Sequence, residues 1–527
     1  MITPVNSSDS TIATHLATVA QDLYKSFAEY DATGIIARIV KNSTAIDYVF
    51  ATEGLTPVRK ATALSKLVFE DDCIDTGHPH YNDEKDLNWS TACRLPASCF
   101  VKTKNPIEVA VAVKIVTLTG IKFAVRATGR NPNPGFGSID DTGICIDLSQ
   151  LRTLELDSDQ KVAHVGSGNK IGDVQKFMDS YDVGVVTGVN NSVGATGATL
   201  GGGFGAANAY TGLACDNVKN YEVVLSDSTI INANAEEHSD LFQCLKGGGN
   251  NFGIVTRLDL WTVPVHNLWY HFFDLSIDIS REFLAALAEV QNRIETDPKA
   301  SFIAIASGDV WHITLHYVGH SDVIPWPFEP LMKFERLDTF FHIPPTNGTV
   351  YSYNTAMTPK QPHIGRQPCS VTTKVDAQLY YDIFEHWTRV FPKGKGTGLD
   401  LCIKPFNTSS VTSGRAHGTE NILGNVPMAQ TWWSVLAQWT NPADKDELYD
   451  ILESMREFMV NQAKATDNFL PYNFMNDSGY MQDIPASYGA KNLAKMKAVS
   501  QKYDVKQVFQ RLQNGGFKVS KAAVRDH

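Results

Sequence analysis

The sequence predicts an α+β protein with two lobes, and two observations support this prediction. Between residues 89 and 266, short apolar runs alternate with turns, and three of these turns are rich in glycine. Between residues 267 and 465, strand-like runs alternate with amphipathic helices, a pattern typical of an antiparallel sheet with helices on one face. A chain of 527 residues is long enough to bury a core in each lobe.

We expect four segments along the chain. Residues 1–88 start with a helical apolar pattern and form an extension that packs on the first lobe. Residues 89–266 form that lobe from two subdomains, and residues 267–465 form the second lobe. Residues 466–527 return to the first lobe. The helical pattern at the start comprises Ile12, Leu16, Val19, Leu23 and Phe27.

In the second lobe, residues 280–295 predict a helix with Ser280 as its N-cap. Residues 268–274, 311–318 and 432–439 predict strands. Because side chains alternate along a strand, Trp433 and Trp439 are expected on one face and Trp432 on the other.

Charge and composition exclude several function classes. The chain has 46 basic and 57 acidic residues, a net charge of −11, so we expect no nucleic-acid partner. No apolar run is long enough to span a bilayer, and the cysteine and histidine spacing predicts no metal site. The first residues lack a basic start followed by an apolar core, so we expect a cytoplasmic protein, with secretion as the alternative.

The first glycine-rich turn is Arg126-Ala127-Thr128-Gly129-Arg130-Asn131-Pro132-Asn133-Pro134-Gly135. A strand at 121–125 leads into it, and its prolines and glycines prevent it from continuing as helix or strand. Because such loops carry few bulky side chains, their backbone N–H groups can approach phosphate oxygens.

Two further clusters strengthen this interpretation. Residues 188–205 read GVNNSVGATGATLGGGFG, and residues 246–265 read KGGGNNFGIVTRLDLWTVPV. Glycine at such density cannot pack through side chains, which favours close backbone contact with an extended ligand. Three glycine-rich turns, each next to a short strand, predict a ligand site in the first lobe.

Seven segments in chain order carry a family resemblance. They are WSTACRLPASCFVKTKNPIEVAVAVKIV, FAVRATGRNPNPGFGSID, HVGSGNKIGDV, ATLGGGFG, DNVKNYEVVLSD, DLFQCLKGGGNNFGIVTR and YNFMNDSGYMQDIPASYGAKNLAKMKAVSQKYDVKQVFQ. With them the chain resembles the FAD-linked oxidases of the vanillyl-alcohol-oxidase/PCMH superfamily, in the fungal berberine-bridge-enzyme-like branch. The resemblance is strong over about residues 89–266 and 470–510 and weaker between them.

The resemblance implies a PCMH-type FAD-binding domain of two subdomains, plus a substrate domain with an antiparallel sheet backed by helices. It also implies the residues that hold the FAD. These are Arg126, Ala127, Thr128, Gly129, Arg130, Asn131, Gly135, Asn190, Ser192, Val193, Gly194, Gly197, Ala198, Leu200, Gly203, Gly205, Gly253, Ile254, Val255 and Asn476.

The chain departs from the family where the flavin is usually tethered. Arg130 stands at the position of the tethering histidine, and Asn190 at the position of the tethering cysteine. Thr128 replaces a glycine of the loop, and Ala198 replaces a histidine found in many members. Neither arginine nor asparagine can form the bond to the flavin ring, so we expect non-covalent FAD.

Three interpretations of Arg130 remain open. Arg130 contacts the flavin or its pyrophosphate, since a guanidinium suits phosphate oxygens. Alternatively, it holds an anionic or carbonyl oxygen of the substrate. In the third, flavin binding has been lost and Arg130 is a solvated loop residue.

The catalytic candidates are Tyr472, Arg130 and His417. The family often supplies its base from a tyrosine in the stretch that matches residues 472–477, which makes Tyr472 the candidate base and Asn476 a flavin or substrate contact. The alternative for Tyr472 is a core tyrosine, and for His417 a structural histidine.

The resemblance implies an FAD-dependent oxidoreductase, of oxidase or oxygenase type, with or without a ring rearrangement. Its expected substrate is a lipophilic small molecule of fungal secondary metabolism, with molecular oxygen as the expected co-substrate. The alternative is a redox-neutral cyclase or pericyclase that keeps FAD as a structural element or lacks it. A third class, a non-catalytic binding protein, fits the intact glycine clusters least.

Overall fold

The computed structural model describes residues 11–339, 341–392, 394 and 396–523. The prediction about a secretory leader concerns the first residues of the chain, and residues 1–10 lie outside the described residues. Within the described chain, the strands form three sheets. The strands are β1 (Cys73–Asp75), β2 (Cys99–Lys102), β3 (Lys122–Arg126), β4 (Gly143–Asp147), β5 (Leu154–Leu156), β6 (Val162–Gly166), β7 (Gly184–Val185), β8 (Val218–Val224), β9 (Ile230–Asn234), β10 (Ile254–Val263), β11 (Asn267–Ser276), β12 (Ala300–Ser307), β13 (Val310–Val318), β14 (Ile343–Thr349), β15 (Gly365–Lys374), β16 (Thr397–Phe406), β17 (Gln430–Trp439) and β18 (Phe469–Leu470).

Helices cover these sheets and link their strands. They are α1 (Ile12–Ser26), α2 (Thr33–Lys41), α3 (Ser43–Ala51), α4 (Pro57–Phe69), α5 (Tyr81–Lys85), α6 (Pro106–Thr119), α7 (Ile171–Asp179), α8 (Ala195–Leu200), α9 (Asn208–Thr211), α10 (Ser239–Leu245), α11 (Ser280–Ile294), α12 (Val350–Ala356), α13 (Ala377–Val390), α14 (Thr408–Ser413), α15 (Lys445–Ala465), α16 (Ile484–Ser487), α17 (Ala490–Tyr503) and α18 (Val508–Arg511).

The first sheet has the order β1-β2-β4-β3, and its last three strands are parallel. The crossover from β2 to β3 runs through α6, which the sequence delimits at both ends. The Asn105 side chain accepts from the Glu108 N–H, Pro106 occupies the first turn, and Gly120 ends the helix at φ +67°. Almost every residue of α6 is buried, and α1 and α4 pack on it. The N-terminal helices therefore share a core with this sheet.

The second sheet is antiparallel, with the order β5-β6-β10-β8-β9, and β7 pairs with β10. β10 is its central strand. The predicted strand after the third glycine cluster is thus the start of a ten-residue strand.

The third sheet is antiparallel, with the order β14-β11-β13-β12-β16-β17-β15-β18. α11, α13 and α15 cover one of its faces and form a core with it. Trp433 and Trp439 lie in that core, whereas Trp432 packs on the opposite side against Phe204 and Phe406, so the predicted alternation is confirmed.

The predicted N-cap of α11 is wrong. Ser280 is the first residue of the helix, and Ile279 occupies the cap position. The hydroxyl of Ser280 instead donates to the Ile277 carbonyl and accepts from Trp311 Nε1 at 2.9 Å. A buried tryptophan N–H needs a hydrogen-bond acceptor, and the Ser280 hydroxyl supplies that acceptor inside the core.

The last segment connects the lobes. β18 pairs with β15 of the third sheet, while residues 508–519 pack on the first two sheets. Over the described ranges, no helix is long and apolar enough to cross a membrane. The same ranges contain no group of three or more metal-ligating side chains.

Candidate active site

The first glycine-rich loop follows β3, and Arg126 at the end of that strand anchors it. The Arg126 side chain is 2% exposed, and it donates to Asp147 Oδ2 and Glu84 Oε2 at 2.6 Å each. Its guanidinium is thus fully engaged inside the protein, and it anchors the loop rather than facing open space. Gly129 has φ +71°, and a Cβ there would lie 2.7 Å from Asn88 Oδ1. The loop therefore requires glycine at this position.

Arg130 lies against Trp89. The Arg130 guanidinium is 3.9 Å from the centroid of the Trp89 ring, and its Nη2 donates to Gln361 Oε1 at 2.8 Å. The buried guanidinium of Arg366 is 4.2 Å from the same ring centroid. Burial, with the neighbouring Arg366, lowers the pKa of Arg130 to about 10. Two arginines thus contact one indole ring, and no local sequence pattern predicts this contact.

The remaining residues of this loop are held by local bonds. Asn131 Oδ1 accepts from the Asn133 N–H at 2.9 Å, and the Gly135 N–H donates to Ser138 Oγ. Ala127 and Thr128 are half-buried. Thr128 meets the second glycine cluster, because a Cβ at Gly194 would lie 2.7 Å from Thr128 Oγ1.

The second cluster contains a tight turn followed by α8. Asn190 Oδ1 accepts from the N–H and hydroxyl of Ser192, so the side chain at the tethering-cysteine position closes a turn. The Val193 carbonyl accepts from the Ile171 N–H. Gly197 is exposed and has no atom within 4 Å of its Cβ position. α8 therefore borders open space at Gly197.

The glycines after α8 contact Asn476 from the C-terminal segment. Asn476 Oδ1 accepts from the Gly203 N–H at 3.0 Å, and a Cβ at Gly201 would lie 2.3 Å from Asn476 Nδ2. Gly205 packs equally closely on the Thr187 carbonyl. The structure thus brings Asn476 to the glycine cluster, and its contact with flavin or substrate stays a prediction. Ala198 and Leu200 are the neighbouring residues of α8, and their carbonyls accept from Gly201 and Gly249 N–H groups.

The third cluster has a different environment. A Cβ at Gly253 would lie 2.4 Å from Val223 Cγ1, and Ile254 and Val255 are buried at the start of β10. The Val255 carbonyl accepts from Ser167 Oγ at 2.6 Å. The side chains of these residues contribute to the lobe's core, and their role toward a ligand stays a prediction.

Buried polar atoms without a protein partner test whether these loops fit FAD. Trp89 Nε1, Asn191 Oδ1 and Thr196 Oγ1 are buried, and none has a hydrogen-bond partner within the described residues. Buried donors and acceptors are normally paired, so such a group marks a place for a ligand or water. Together with the open space at Gly197, these atoms provide donors and an acceptor in the second cluster and beside Arg130. The residues fit an extended, phosphate-bearing cofactor.

The face of the third sheet opposite α11, α13 and α15 has a polar, half-buried region. One end of this face packs on residues 198–207, through Trp432, Phe406 and Tyr270. Further along, the outward side chains are only half-buried, whereas their neighbours in each strand are fully buried in the helix-covered core. We call this region the open face, and it consists of Ile305, Ser307, His312, Asp400, Cys402, Ser434, Leu436 and Gln438.

Asp400 is the carboxylate of the open face. Its Oδ1 accepts from Ser307 Oγ at 2.7 Å, and its Oδ2 accepts from Gln438 Nε2 at 2.7 Å. Burial raises the pKa of the Asp400 carboxyl, and the Ser307 bond, His312 and Arg366 oppose that effect. Arg366 pairs with Gln438 across β15 and β17, and its guanidinium lies over the Trp89 ring that Arg130 also contacts. The open face is therefore connected to the first glycine-rich loop through charged and aromatic side chains.

His312 extends the polar region. Its Nδ1 lies 2.7 Å from Asp274 Oδ1, and Thr339 donates its hydroxyl proton to Asp274 Oδ2 at 2.6 Å. The Asp274 side chain is 2% exposed, while His312 is 30% exposed. A buried carboxylate thus fixes the orientation of a partly exposed histidine on the open face.

The three predicted catalytic residues lie in separate surroundings. Tyr472 is 4% exposed and packs against Trp432 and Tyr488, and burial raises the pKa of its phenol well above the ordinary value. His417 stacks on Trp261, at 5.5 Å between ring centroids. The sequence analysis missed Asp400 and His312. The alternation in residues 397–406 and 310–318, with polar residues at every second position, was the available signal.

Comparison with known proteins identifies the family. The FAD binding domain family matches residues 97–234. The FAD-dependent monooxygenase macF of Penicillium terrestre is 31% identical over 470 residues, which cover 86% of this chain and 88% of that relative. The chain belongs to the FAD-linked oxidoreductases of the vanillyl-alcohol-oxidase/PCMH superfamily. Its berberine-bridge-like assignment and its class as an FAD-dependent oxidoreductase are confirmed.

Other relatives agree with this assignment. The bifunctional solanapyrone synthase of Alternaria solani is 33% identical over 444 residues, covering 82% of this chain and 83% of the relative. Glucooligosaccharide oxidase of Acremonium strictum has a TM-score of 0.74 at 15% identity, with 90% of this chain and all of that one covered. 6-Hydroxy-D-nicotine oxidase of Arthrobacter nicotinovorans has a TM-score of 0.72 at 18% identity, covering 85% and 98%. The two structural matches confirm the predicted fold class.

Proposed function

We propose that this FAD-dependent oxidoreductase binds FAD without a covalent bond, in the cleft between the two glycine-rich loops and the open face. The flavin would lie next to Arg130 and residues 190–205, and the substrate would lie against the open face. The observation that carries the proposal is the half-buried Asp400 on the open face, which bonds to Gln438, the cross-strand partner of Arg366 beside Trp89.

Bound FAD would supply the acceptor for a hydride from the substrate, with molecular oxygen as the final electron acceptor. The chain's own contribution is to position the substrate and remove a proton. Asp400 accepts one hydrogen bond on each oxygen, which leaves each with a further acceptor site. A carboxylate with a raised pKa is a stronger base than an ordinary aspartate, so Asp400 can take a proton from a substrate hydroxyl as the hydride departs.

His312 holds the neighbouring part of the substrate. Asp274 accepts a hydrogen bond from His312 Nδ1, so His312 Nε2 is the ring atom available to a substrate oxygen. Ile305 and Leu436 supply apolar surface beside Asp400. This mixture of apolar surface and a few polar groups supports a lipophilic small-molecule substrate.

The names of the relatives support a role in making small natural products, with oxygen as co-substrate. A redox-neutral cyclization is the second candidate, and it is supported by one relative whose name describes a bifunctional synthase and not a monooxygenase. The eight cysteines are all free, seven of them buried, which supports a reducing, cytoplasmic location.

We also propose that the lobes meet at residues 266/267, and that residues 466–527 act as the returning segment.

Gene deletion followed by anaerobic mixing tests the function. The precursor that accumulates in the deletion strain is purified and mixed with the FAD-loaded enzyme without oxygen. Loss of the flavin's visible absorbance, restored by air, supports hydride transfer, and a product heavier by one oxygen atom supports monooxygenation. Full conversion with no absorbance change, no oxygen uptake and no mass change would contradict the redox proposal and favour the cyclase.

A further inference from the structure

A cavity lies at Lys122, where β3 begins, and the FAD loop follows the other end of this strand. Its volume is about 490 Å³, within the usual range for small-molecule sites. Lys122 begins β3 at this cavity, and Arg126 ends the strand at the FAD loop. Five strand residues separate the two ends by roughly 13 Å. The cavity therefore lies at the far end of the strand from Arg126, and its lining residues Asn514 and Gly515 adjoin Gly135 of the FAD loop.

The charged groups that line this cavity are all basic. They are Lys122, Arg511, Lys518 and Lys521, and the remaining lining residues are uncharged. Over residues 11–523 as described above, none of these four forms an ion pair. The protein as a whole has a net charge of −11, so four cations around one cavity are a local reversal of its charge. Such a concentration attracts anions.

Lys518 is the deepest of the four. It is 5% exposed, and its Nζ donates to the Phe509 carbonyl at 2.7 Å and lies 3.5 Å from Gln513 Oε1. Burial, with Lys521 and Lys122 nearby, lowers the pKa of Lys518 to about 7. Asp504 acts in the other direction, but its carboxylate already accepts the N–H groups of Val508 and Phe509.

We propose that this cavity binds a small polyanion, in which several negatively charged oxygens belong to one molecule, as in a pyrophosphate or a phosphate ester. Arg511 presents planar donors and the lysines present point charges, a combination suited to phosphate oxygens. The buried Lys518 ammonium supplies the innermost charge. A bound anion offsets the cost of holding that ammonium among other cations.

Calorimetric titration of the FAD-loaded protein with inorganic pyrophosphate at low salt tests the site. Arg511→Gln and Lys521→Gln change exposed side chains, so the variants should keep the fold. We expect each to weaken pyrophosphate binding about tenfold to a hundredfold, the usual effect of losing a charge-assisted bond. Lys176→Gln changes an exposed lysine on α7 and is the matched control, with unchanged affinity.

Citrate in a parallel titration distinguishes the chemistry of the anion. Tighter binding of pyrophosphate assigns the site to phosphates, and equal binding assigns it to polyanions in general. Absence of binding heat for both probes would overturn the proposal, as would equal affinity in Arg511→Gln, Lys521→Gln and the control. Release of FAD by pyrophosphate would also overturn it, because the anion would then occupy the FAD site. Absence of pyrophosphate binding would not contradict the proposed FAD binding.

Proton uptake gives a second readout. Sulfate does not titrate near neutral pH, so any proton taken up on its binding is bound by a group of the protein. A bound anion raises the pKa of Lys518, and we expect uptake of a fraction of a proton between pH 7 and 8. Lys518→Met should abolish that uptake. Uptake that persists in Lys518→Met would show that another group faces the anion and would contradict the site as described.

Discussion

The two faces of the eight-stranded sheet differ in what they contribute. On β17, Trp433, Val435 and Ala437 are at most 1% exposed and lie in the helix-covered core. Ser434, Leu436 and Gln438 alternate with them and are half-buried on the open face. One strand thus contributes to stability with one set of residues and to the cleft with the other. Substitutions only one position apart should separate folding from activity.

The largest effect is expected from Asp400→Asn on the open face. The amide cannot take a proton from the substrate, so kcat should fall by about 10²–10⁴, the range for loss of a general base. The amide oxygen can still accept one of the two hydrogen bonds, so Tm should change little. Steady-state rates and thermal unfolding measure both. Asp309→Asn, on the exposed turn between β12 and β13, is the control with unchanged kcat.

The opposite pattern is expected on the helix-covered face. Trp433→Ala removes a large buried side chain and its bond to Thr373 Oγ1, and it should lower the free energy of unfolding by about 3–5 kcal/mol. Leu436→Ala, three residues along on the open face, should cost less than about 1.5 kcal/mol because the side chain is already half-exposed. Denaturant titration compares them. Equal losses would contradict the division of the sheet into two faces.

A smaller effect is expected from Arg130→Ala in the glycine-rich loop. If Arg130 holds the pyrophosphate or the flavin, FAD affinity should fall about tenfold to a hundredfold. Fluorescence titration of the apoprotein with FAD measures this. Unchanged FAD affinity with collapsed turnover would assign Arg130 to the substrate instead. Unchanged affinity and turnover would make it a loop residue held by Trp89 and Gln361.

The smallest effect is a shift in pH dependence. Burial raises the pKa of Asp400 above the ordinary aspartate value of about 3.9. The ionised, basic form of Asp400 therefore predominates only above that raised pKa. Activity should therefore rise with pH through that raised pKa. A pH profile of kcat/KM shows the acid limb, and Asp400→Asn should lack it. An identical acid limb in the variant would assign it to another group.

Much of the fold could be predicted from the sequence because its signals are local. Glycine clusters, the 3.6-residue period of α11 and the two-residue period of β17 each depend on neighbours in the chain. The N-cap of α11 could not be predicted this way. Ser280 bonds to Trp311, which lies 31 residues further along.

The candidate site was predictable only in part. The glycine-rich loops were visible in the sequence, and Asn476 could be placed through the family resemblance. The contact of Arg130 with Trp89 and Arg366 joins residues from both lobes, which no local pattern reveals. Asp400 and Gln438 meet only because β16 and β17 pair in one register.

Acid precipitation tests the central claim most directly, since that claim is FAD held without a covalent bond beside Arg130. Wild-type protein and Arg130→His are purified, precipitated with acid, and the flavin is measured in supernatant and pellet. We predict that the wild type releases all of its FAD into the supernatant, whereas Arg130→His, which supplies an imidazole at the tethering position, keeps a fraction in the pellet. Flavin that remains with the wild-type pellet and fluoresces on a denaturing gel would contradict the account.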